Sequence, residues 1–213
     1  MSNFSFAVLI SGNGSNLQAM IEAIKVKQIQ GKICCVISNK KDAYGLERAK
    51  KAKIPTEVVD NKNFETRGDF DTELVRVLSA YKPDLVILAG FMRILSPVFI
   101  NAFLGKILNI HPSLLPKYPG LNTHKRVLKS SDKIHGITVH FVNESLDGGP
   151  ICAQSSVEIN TSSEKQLEQQ IHKLEHKLYP KVVRWFSEGL LRLEDGKVYF
   201  EKKELKIGEI NEK

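Results

Sequence analysis

The fold is decided by the stretch Phe6-Ala-Val-Leu-Ile-Ser-Gly-Asn-Gly-Ser-Asn16, near the start of the chain. Its apolar first half predicts a short buried strand, and its glycine-rich second half predicts a tight loop. Apolar side chains then recur three and four positions apart, at Leu17, Met20, Ile21 and Ile24. This spacing is typical of a helix with one buried face. A strand, a glycine-rich loop and a helix in this order indicate the start of an α/β fold.

Strand and helix patterns go on alternating as far as residue 111. Apolar runs predict strands at residues 33–38, 56–59, 85–88 and 106–111. Helices are expected between them, at residues 44–53 and 66–81 and from Pro97 onward. Because strands that alternate with helices usually pair in parallel, this half of the chain predicts a parallel sheet covered by helices.

The second half of the chain follows a different pattern. Two alternating strands, at residues 134–142 and 151–157, flank the turn-forming Asp147-Gly-Gly-Pro150 and are expected to pair antiparallel. A capping box at Thr161-Ser-Ser-Glu164 predicts the start of a long helix. Asp195-Gly196 lies between two short apolar runs and predicts a C-terminal hairpin.

Together these patterns predict an α/β fold for the 213-residue chain. We expect a single Rossmann-like domain, with a mostly parallel sheet, helices on both faces of the sheet and an antiparallel C-terminal part. Residues 1–189 are expected to form the main body of this domain. Residues 190–213 are expected to add a hairpin and a charged tail to it.

Composition limits the class of protein. The chain is 42% hydrophobic and 26% charged, which are ordinary values for a globular protein. No apolar run approaches the ~18 residues of a membrane span, and the N-terminus lacks a secretory signal. The three cysteines form no Cys-x-x-Cys motif, which indicates free thiols in a reducing compartment. We therefore expect a cytoplasmic protein that makes no use of a membrane.

The net charge of +7 has three possible explanations. A basic protein can bind nucleic acid or small anions, or it can simply carry a lysine-rich solvated surface. The positive residues are scattered, and no basic block interleaved with aromatic residues stands out. The sequence therefore disfavours nucleic acid as a partner.

The glycine-rich loop after the first strand contains Gly12, Asn13, Gly14, Ser15 and Asn16. Glycines at such a place let backbone N–H groups approach an anion, and the helix N-terminus adds a favourable dipole. A dinucleotide motif would need glycine at Leu17 and an acidic residue where Ser38 and Asn39 stand. The loop therefore suits a single phosphate. The alternative is a tight turn in which Ser15 or Asn16 caps the helix.

Asn109 and His111 lie two residues apart on a predicted strand, so their side chains point to the same face. They stand at the carboxyl end of that strand, where ligands bind in open α/β sheets. An amide and an imidazole side by side can stabilise an oxyanion. Alternatively, the two side chains satisfy the backbone of the proline-rich loop that follows.

Asp147 begins a Gly-Gly-Pro turn and is either a turn-former or a positioned base.

His172 and His176 are four residues apart on one helix face, as two metal ligands would be. They lack a third ligand, so we favour a solvated helix face and predict no metal site.

Four stretches resemble one known family: Gly12-Asn-Gly-Ser-Asn16, Ala89-Gly-Phe-Met-Arg-Ile-Leu-Ser-Pro97, residues 109–120 with Asn-Ile-His-Pro-Ser-Leu-Leu-Pro, and Leu146-Asp-Gly-Gly-Pro150. They are similar to the phosphoribosylglycinamide formyltransferases, folate-dependent enzymes of purine biosynthesis. The His-Pro-Ser-Leu-Leu-Pro stretch is shared with methionyl-tRNA formyltransferases and formyltetrahydrofolate hydrolases. The glycine-rich loop and the chain length select the first family.

The resemblance implies roles for particular residues. The catalytic trio would be Asn109, His111 and Asp147. The ribonucleotide substrate would be bound by Gly12, Asn13, Gly14, Ser15, Asn16 and Glu175. The folate would be bound by Arg67, Met92, Arg93, Ile94, Leu95, Asn109, Asn143, Glu144, Ser145, Leu146 and Asp147.

The implied reaction transfers the formyl group of 10-formyltetrahydrofolate, the co-substrate, to the amine of 5-phosphoribosylglycinamide. It needs no metal, since hydrogen bonds, positioning and one proton relay are sufficient. The expected partners are these small molecules and at most a second copy of the chain, which would make the protein a monomer or a homodimer. Hydrolysis of formyltetrahydrofolate and a non-enzymatic nucleotide-binding module are the alternatives.

Overall fold

The computed structural model describes residues 4–206 and 211–212. It contains two compact units, of which the first ends at Asn109 and the second begins at Ile110. The division of the domain after residue 189 remains a prediction. Within the described part of the chain, no helix combines the length and the hydropathy that a membrane span requires.

The first unit alternates strands and helices along the chain. Its strands are β1 (Ser5–Ile10), β2 (Lys32–Ser38), β3 (Thr56–Val58), β4 (Leu85–Leu88) and β5 (Ile107–His111), the last of which continues into the second unit. Its helices are α1 (Ser15–Lys25), α2 (Tyr44–Lys51), α3 (Arg67–Tyr81) and α4 (Pro97–Ala102). The strands pair in parallel in the order β5-β4-β1-β2-β3. The prediction of a parallel sheet is confirmed.

The sequence of β1 follows from its central position in this sheet. β1 pairs with β2 on one side and β4 on the other, and all six of its residues are buried. A strand that is covered on both faces has a continuous apolar run and no alternation. Helix α1 buries Leu17, Met20 and Ile21, which confirms the predicted apolar face.

The second unit is largely antiparallel. Its elements are α5 (Thr123–Leu128), β6 (Ile134–Phe141), β7 (Ile151–Glu158), α6 (Glu164–Ser187), β8 (Leu191–Glu194), β9 (Lys197–Phe200), β10 (Lys203–Glu204) and β11 (Asn211–Glu212). Strands β6 and β7 pair antiparallel, as predicted. Strands β8, β9 and β10 form a separate antiparallel sheet that contains the predicted hairpin. The α/β fold class with an antiparallel C-terminal part is confirmed.

Two details of the second unit differ from the sequence prediction or extend it. The cap of α6 is Ser163 and not Thr161, because the Ser163 hydroxyl accepts a hydrogen bond from the backbone N–H of Gln166. The Thr161 hydroxyl instead accepts from the backbone N–H of Ser163. In the charged tail, β11 pairs in parallel with β7, whereas residues 207–210 and 213 lie outside the described residues.

Candidate active site

The glycine-rich loop connects β1 to α1. Its Gly14 is the N-cap of α1 and has a left-handed backbone with φ of 72°. No described side chain caps this helix, so neither Ser15 nor Asn16 acts as the cap considered above. The first N–H groups of a helix lack partners within the helix and carry partial positive charge. The loop therefore has the backbone arrangement that a phosphate group requires.

Two residues of α2 that the sequence did not single out hold this loop in place. A Cβ on Gly14 would lie 2.7 Å from the Cα of Gly45, so the two backbones approach more closely than any side chain allows. The N–H of Gly45 donates to the Gly12 carbonyl oxygen over 3.0 Å. The Arg48 guanidinium donates to the Asn13 backbone oxygen (2.9 Å) and to the Asn13 side-chain oxygen (3.0 Å).

Asn109 lies at the carboxyl end of β5, as predicted. The strand register places Asn109 beside Leu88 of β4, and Leu88 beside Leu9 of β1. Two strand spacings separate Asn109 from Leu9, a distance of about 10 Å. The glycine-rich loop begins a few residues beyond Leu9. The amide and the loop thus belong to the same edge of the first unit's sheet, where open α/β sheets bind ligands.

Residues 92–95, predicted to bind folate, follow β4 and lead into α4. Their end is fixed by Asp71 of α3, whose carboxylate accepts a hydrogen bond from the Ser96 N–H. Burial raises the pKa of Asp71, while the Ser96 hydrogen bonds and the charges of Arg67 and Arg93 act in the opposite direction. The Arg93 guanidinium also lies over the Phe70 ring, 5.9 Å from its centre. Arg67 and Arg93, both predicted folate ligands, therefore share the surroundings of Asp71.

His111 ends β5 and is buried, with both ring nitrogens facing oxygen atoms. Its Nδ1 lies 3.3 Å from the Asp147 Oδ2, and its Nε2 lies 2.9 Å from the Tyr118 carbonyl oxygen. Both oxygens are acceptors, and an imidazole donates from both nitrogens only when it carries two protons. Each of these oxygens can therefore accept a hydrogen bond from the ring. His111 and Asp147, two members of the predicted catalytic trio, are thus in contact.

Asp147 is more than a turn-former. Its backbone is left-handed, with φ of 49°, a conformation that Asp adopts more readily than most residues other than glycine. Its Oδ2 accepts a hydrogen bond of 2.7 Å from the Gly120 N–H, and its Oδ1 lies 3.9 Å from the Nε2 of His140. Burial lowers the pKa of His140, so this second imidazole favours the neutral form. The carboxylate is thus held from several sides beside His111.

The loop before β7 depends on its glycines. A Cβ on Gly149 would lie 1.8 Å from the Phe141 carbonyl oxygen, and a Cβ on Gly148 would lie 2.8 Å from the Ser145 Cβ. The Asn143 side chain accepts from the Ser145 N–H over 3.0 Å and closes a local turn. Of the predicted folate ligands in this loop, Leu146 is 56% exposed. An apolar side chain in that position is available to a ligand.

The remaining predicted residues lie on α6. Glu175 is buried in this helix, which is unusual for a carboxylate and fits a specific role. His172 and His176 stack with their ring centres 6.1 Å apart. Among the described residues, no group of three or more His, Cys, Asp and Glu side chains is placed to hold a metal ion.

The chain is similar to known proteins over most of its length. The sequence model of the formyl transferase family matches residues 4–183, and the chain belongs to this family. The phosphoribosylglycinamide formyltransferase of Haemophilus influenzae is 51% identical over 208 residues, which cover 97% of this chain and 98% of that protein. The enzyme of the same name from Escherichia coli is 48% identical over 198 residues, covering 92% and 93% of the two chains.

A solved structure extends the similarity to the fold. The phosphoribosylglycinamide formyltransferase from Coxiella burnetii matches with a TM-score of 0.94 and 43% identity, covering 99% of each chain. The resemblance that the sequence motifs indicated is therefore confirmed.

Proposed function

We propose that this protein transfers the formyl group of 10-formyltetrahydrofolate to the amine of 5-phosphoribosylglycinamide, a step of de novo purine biosynthesis. The near full-length relatives named above support this activity. The structural observation that carries it is the contact of 3.3 Å between His111 and Asp147, at the end of the strand that also bears Asn109. Such a set serves acyl transfer through a tetrahedral oxyanion.

In the proposed reaction, the substrate amine attacks the formyl carbon and the formyl oxygen becomes negatively charged. Asn109 donates a hydrogen bond to this oxygen from its side-chain amide. His111 donates a second hydrogen bond from its charged ring. To do so, Nε2 must give up its hydrogen bond to the Tyr118 carbonyl oxygen. Donors that are fixed before the charge develops supply much of the rate enhancement in reactions of this kind.

Asp147 has two tasks in this proposal. Its carboxylate stabilises the charged imidazole of His111, because an opposite charge within about 4–6 Å favours the protonated ring. It also takes part in moving the proton from the attacking amine to the departing folate nitrogen, through a water molecule. An unperturbed α-amine has a pKa of about 8, so neutral nucleophile is available at physiological pH.

We propose that the substrates bind to the residues predicted from the sequence. The phosphate of the ribonucleotide binds to the loop Gly12–Asn16 at the start of α1, and Glu175 contacts the same substrate. Arg67, residues 92–95 and residues 143–147 bind the folate. The exposed side chains of Met92, Ile94 and Leu146 support this assignment, because a pterin ring and its linker offer apolar faces to them.

The reaction is tested by supplying 10-formyltetrahydrofolate with and without 5-phosphoribosylglycinamide and following the release of tetrahydrofolate. We expect release only when the amine acceptor is present. Release at the same rate without acceptor would identify a formyltetrahydrofolate hydrolase, an alternative that the relatives named above do not support.

We further propose that the enzyme acts in the cytoplasm as a monomer or homodimer, without a metal and without nucleic acid. The three free cysteines, Cys34, Cys35 and Cys152, support a reducing compartment. Treatment with a chelator should leave the rate unchanged. Sedimentation of the protein with and without the substrates would measure its oligomeric state.

A further inference from the structure

A chain of polar side chains runs along the carboxyl ends of the strands in the first unit. The hydroxyl of Ser11, directly after β1, donates to the Asn39 side-chain oxygen over 2.6 Å. The same hydroxyl accepts from the backbone N–H of Met92 over 2.8 Å. The Asn39 amide nitrogen donates to the Asn61 side-chain oxygen over 2.9 Å. The network thus connects the segments that follow β1, β2, β3 and β4.

Asn39 stands where a dinucleotide-binding protein carries the acidic residue that binds a ribose. Here both ends of the Asn39 amide are engaged within the protein, and the residue is only 2% exposed. This position therefore serves the protein's own loops and not a ligand. Its amide oxygen orients the Ser11 hydroxyl, since that hydroxyl has one proton and donates it to Asn39.

Ser11 is the junction of this network. It immediately precedes the loop that we assign to the substrate phosphate, and it holds the N–H of Met92, the first residue of the segment that we assign to folate. Ser11 is 5% exposed, so little water can replace these bonds. Removal of a buried partner leaves the other group unsatisfied, which costs more than the hydrogen bond alone contributes.

We propose that Ser11, oriented by Asn39, is a positioning residue. It fixes the position of the two substrate-binding segments of the first unit relative to each other. The inference rests on the proposed function. Ser11 touches neither the reacting atoms nor, in this proposal, either substrate. Its loss should therefore weaken the binding of both substrates in the ground state and the transition state alike, which raises KM and leaves kcat little changed.

The test compares Ser11→Ala with Ser5→Ala. Ser5 lies at the opposite end of β1, is also buried, and its hydroxyl also bonds to a side chain, that of Asp84. Ser11→Ala removes both hydrogen bonds of this hydroxyl. We expect it to raise KM for both substrates by about 3- to 10-fold, which corresponds to a loss of about 0.6–1.4 kcal/mol of binding for each. Ser5→Ala should lower the melting temperature about as much as Ser11→Ala does, but it should leave both KM values unchanged. Asn39→Ala should change the KM values in the same direction as Ser11→Ala.

The outcomes separate the two proposals. Absence of formyl transfer by the unmodified protein would overturn the proposed function. Formyl transfer by the unmodified protein, with only one KM changed or neither changed in Ser11→Ala and Asn39→Ala, would overturn the positioning role alone. If Ser11→Ala and Asn39→Ala both fail to fold while Ser5→Ala folds, the network serves stability, and the positioning role is also rejected.

Discussion

The loop after β1 and the loop before β7 each place one residue in a left-handed backbone, but they fill that position differently. In the first loop the residue is Gly14, with φ of 72°. In the second it is Asp147, with φ of 49°, although Gly148 and Gly149 follow directly. Glycine adopts this conformation without strain and Asp or Asn adopts it at moderate cost, whereas most other residues lose about 1–2 kcal/mol.

The difference matches what each loop has to offer a substrate. The first loop presents backbone N–H groups, so a residue without a side chain suits it and no strain is needed. The second loop presents a carboxylate to His111, so its left-handed position needs a residue with a short polar side chain. The first loop should therefore govern binding, and the second should govern the rate of the chemical step.

The largest effect is expected from Asp147→Asn. Asparagine tolerates the left-handed backbone and can still accept from the Gly120 N–H, but it lacks the charge. We expect kcat to fall by about 10²- to 10⁴-fold, with the melting temperature little changed. Asp195→Asn is a matched control, because Asp195 also has a left-handed backbone, with φ of 50°, in the hairpin turn. A similar loss of rate in the control would contradict the assignment.

The coupling of Asp147 to His111 is a further part of this prediction. Residues that act as a unit give losses that do not add. The double variant His111→Ala with Asp147→Asn should therefore be little slower than the slower single variant. If the two losses multiply, the residues act independently and Asp147 has a structural role in its turn.

The next largest effect is expected from Asn109→Ala. Loss of one oxyanion donor lowers kcat by roughly 10²- to 10³-fold. Equilibrium binding of each substrate, measured by calorimetry, should change little, because the donor acts on charge that is present only in the transition state. An unchanged kcat in a variant whose chemical step is rate-limiting would remove Asn109 from the mechanism.

A change of binding and not of rate is expected from Gly14→Ala. The new Cβ would meet the Gly45 Cα at 2.7 Å in a strained left-handed position, which must displace the loop. KM for the ribonucleotide should rise about tenfold or more, as a loss of roughly 1.4 kcal/mol or more of binding gives. KM for the folate should change much less. Gly31→Ala is the control: its Cβ would also meet backbone at 2.7 Å, but remote from the loop.

The smallest effect is expected from pH and again concerns the second unit. Burial, and then the charges of His124 and His111, lower the pKa of His135 to about 4 from its ordinary 6.5. At a pH between these two pKa values, His135 binds a proton in the unfolded chain but not in the folded chain. The free energy of unfolding therefore falls as the pH drops from 6.5 towards 4. His135→Gln should flatten this part of the curve of unfolding free energy against pH. An equally steep curve would show that other groups cause the loss.

Much of the fold could be predicted from the sequence, because burial leaves a pattern in residue type. The continuous apolar run of β1 and the alternation of strands and helices predicted a parallel sheet. Element boundaries were less accurate where a side chain could cap in more than one way. Thr161 and Ser163 both precede α6, and only the three-dimensional contacts decide that Ser163 is the cap.

The candidate site was predictable where it depends on side chains of unusual type or spacing. Asn109 and His111 share one strand, and the glycines mark the loop after β1. The contacts that surround these residues left no such signal. The Tyr118 carbonyl and the Gly120 N–H are backbone groups that every non-proline residue possesses. Arg48 is 35 residues away from Asn13 in sequence, and a single arginine on a helix indicates no particular partner.

The contact between Gly14 and Gly45 has a consequence for how the protein can change by mutation. A side chain that is too large for a core position can often be accommodated when its neighbour becomes smaller. Here the nearest neighbour of a Cβ on Gly14 is the backbone of Gly45, which has no side chain to shorten. A selection for second-site suppressors of Gly14→Ala should therefore yield no compensating substitution at residue 45. Suppressors, if they arise, must shift α2 as a whole.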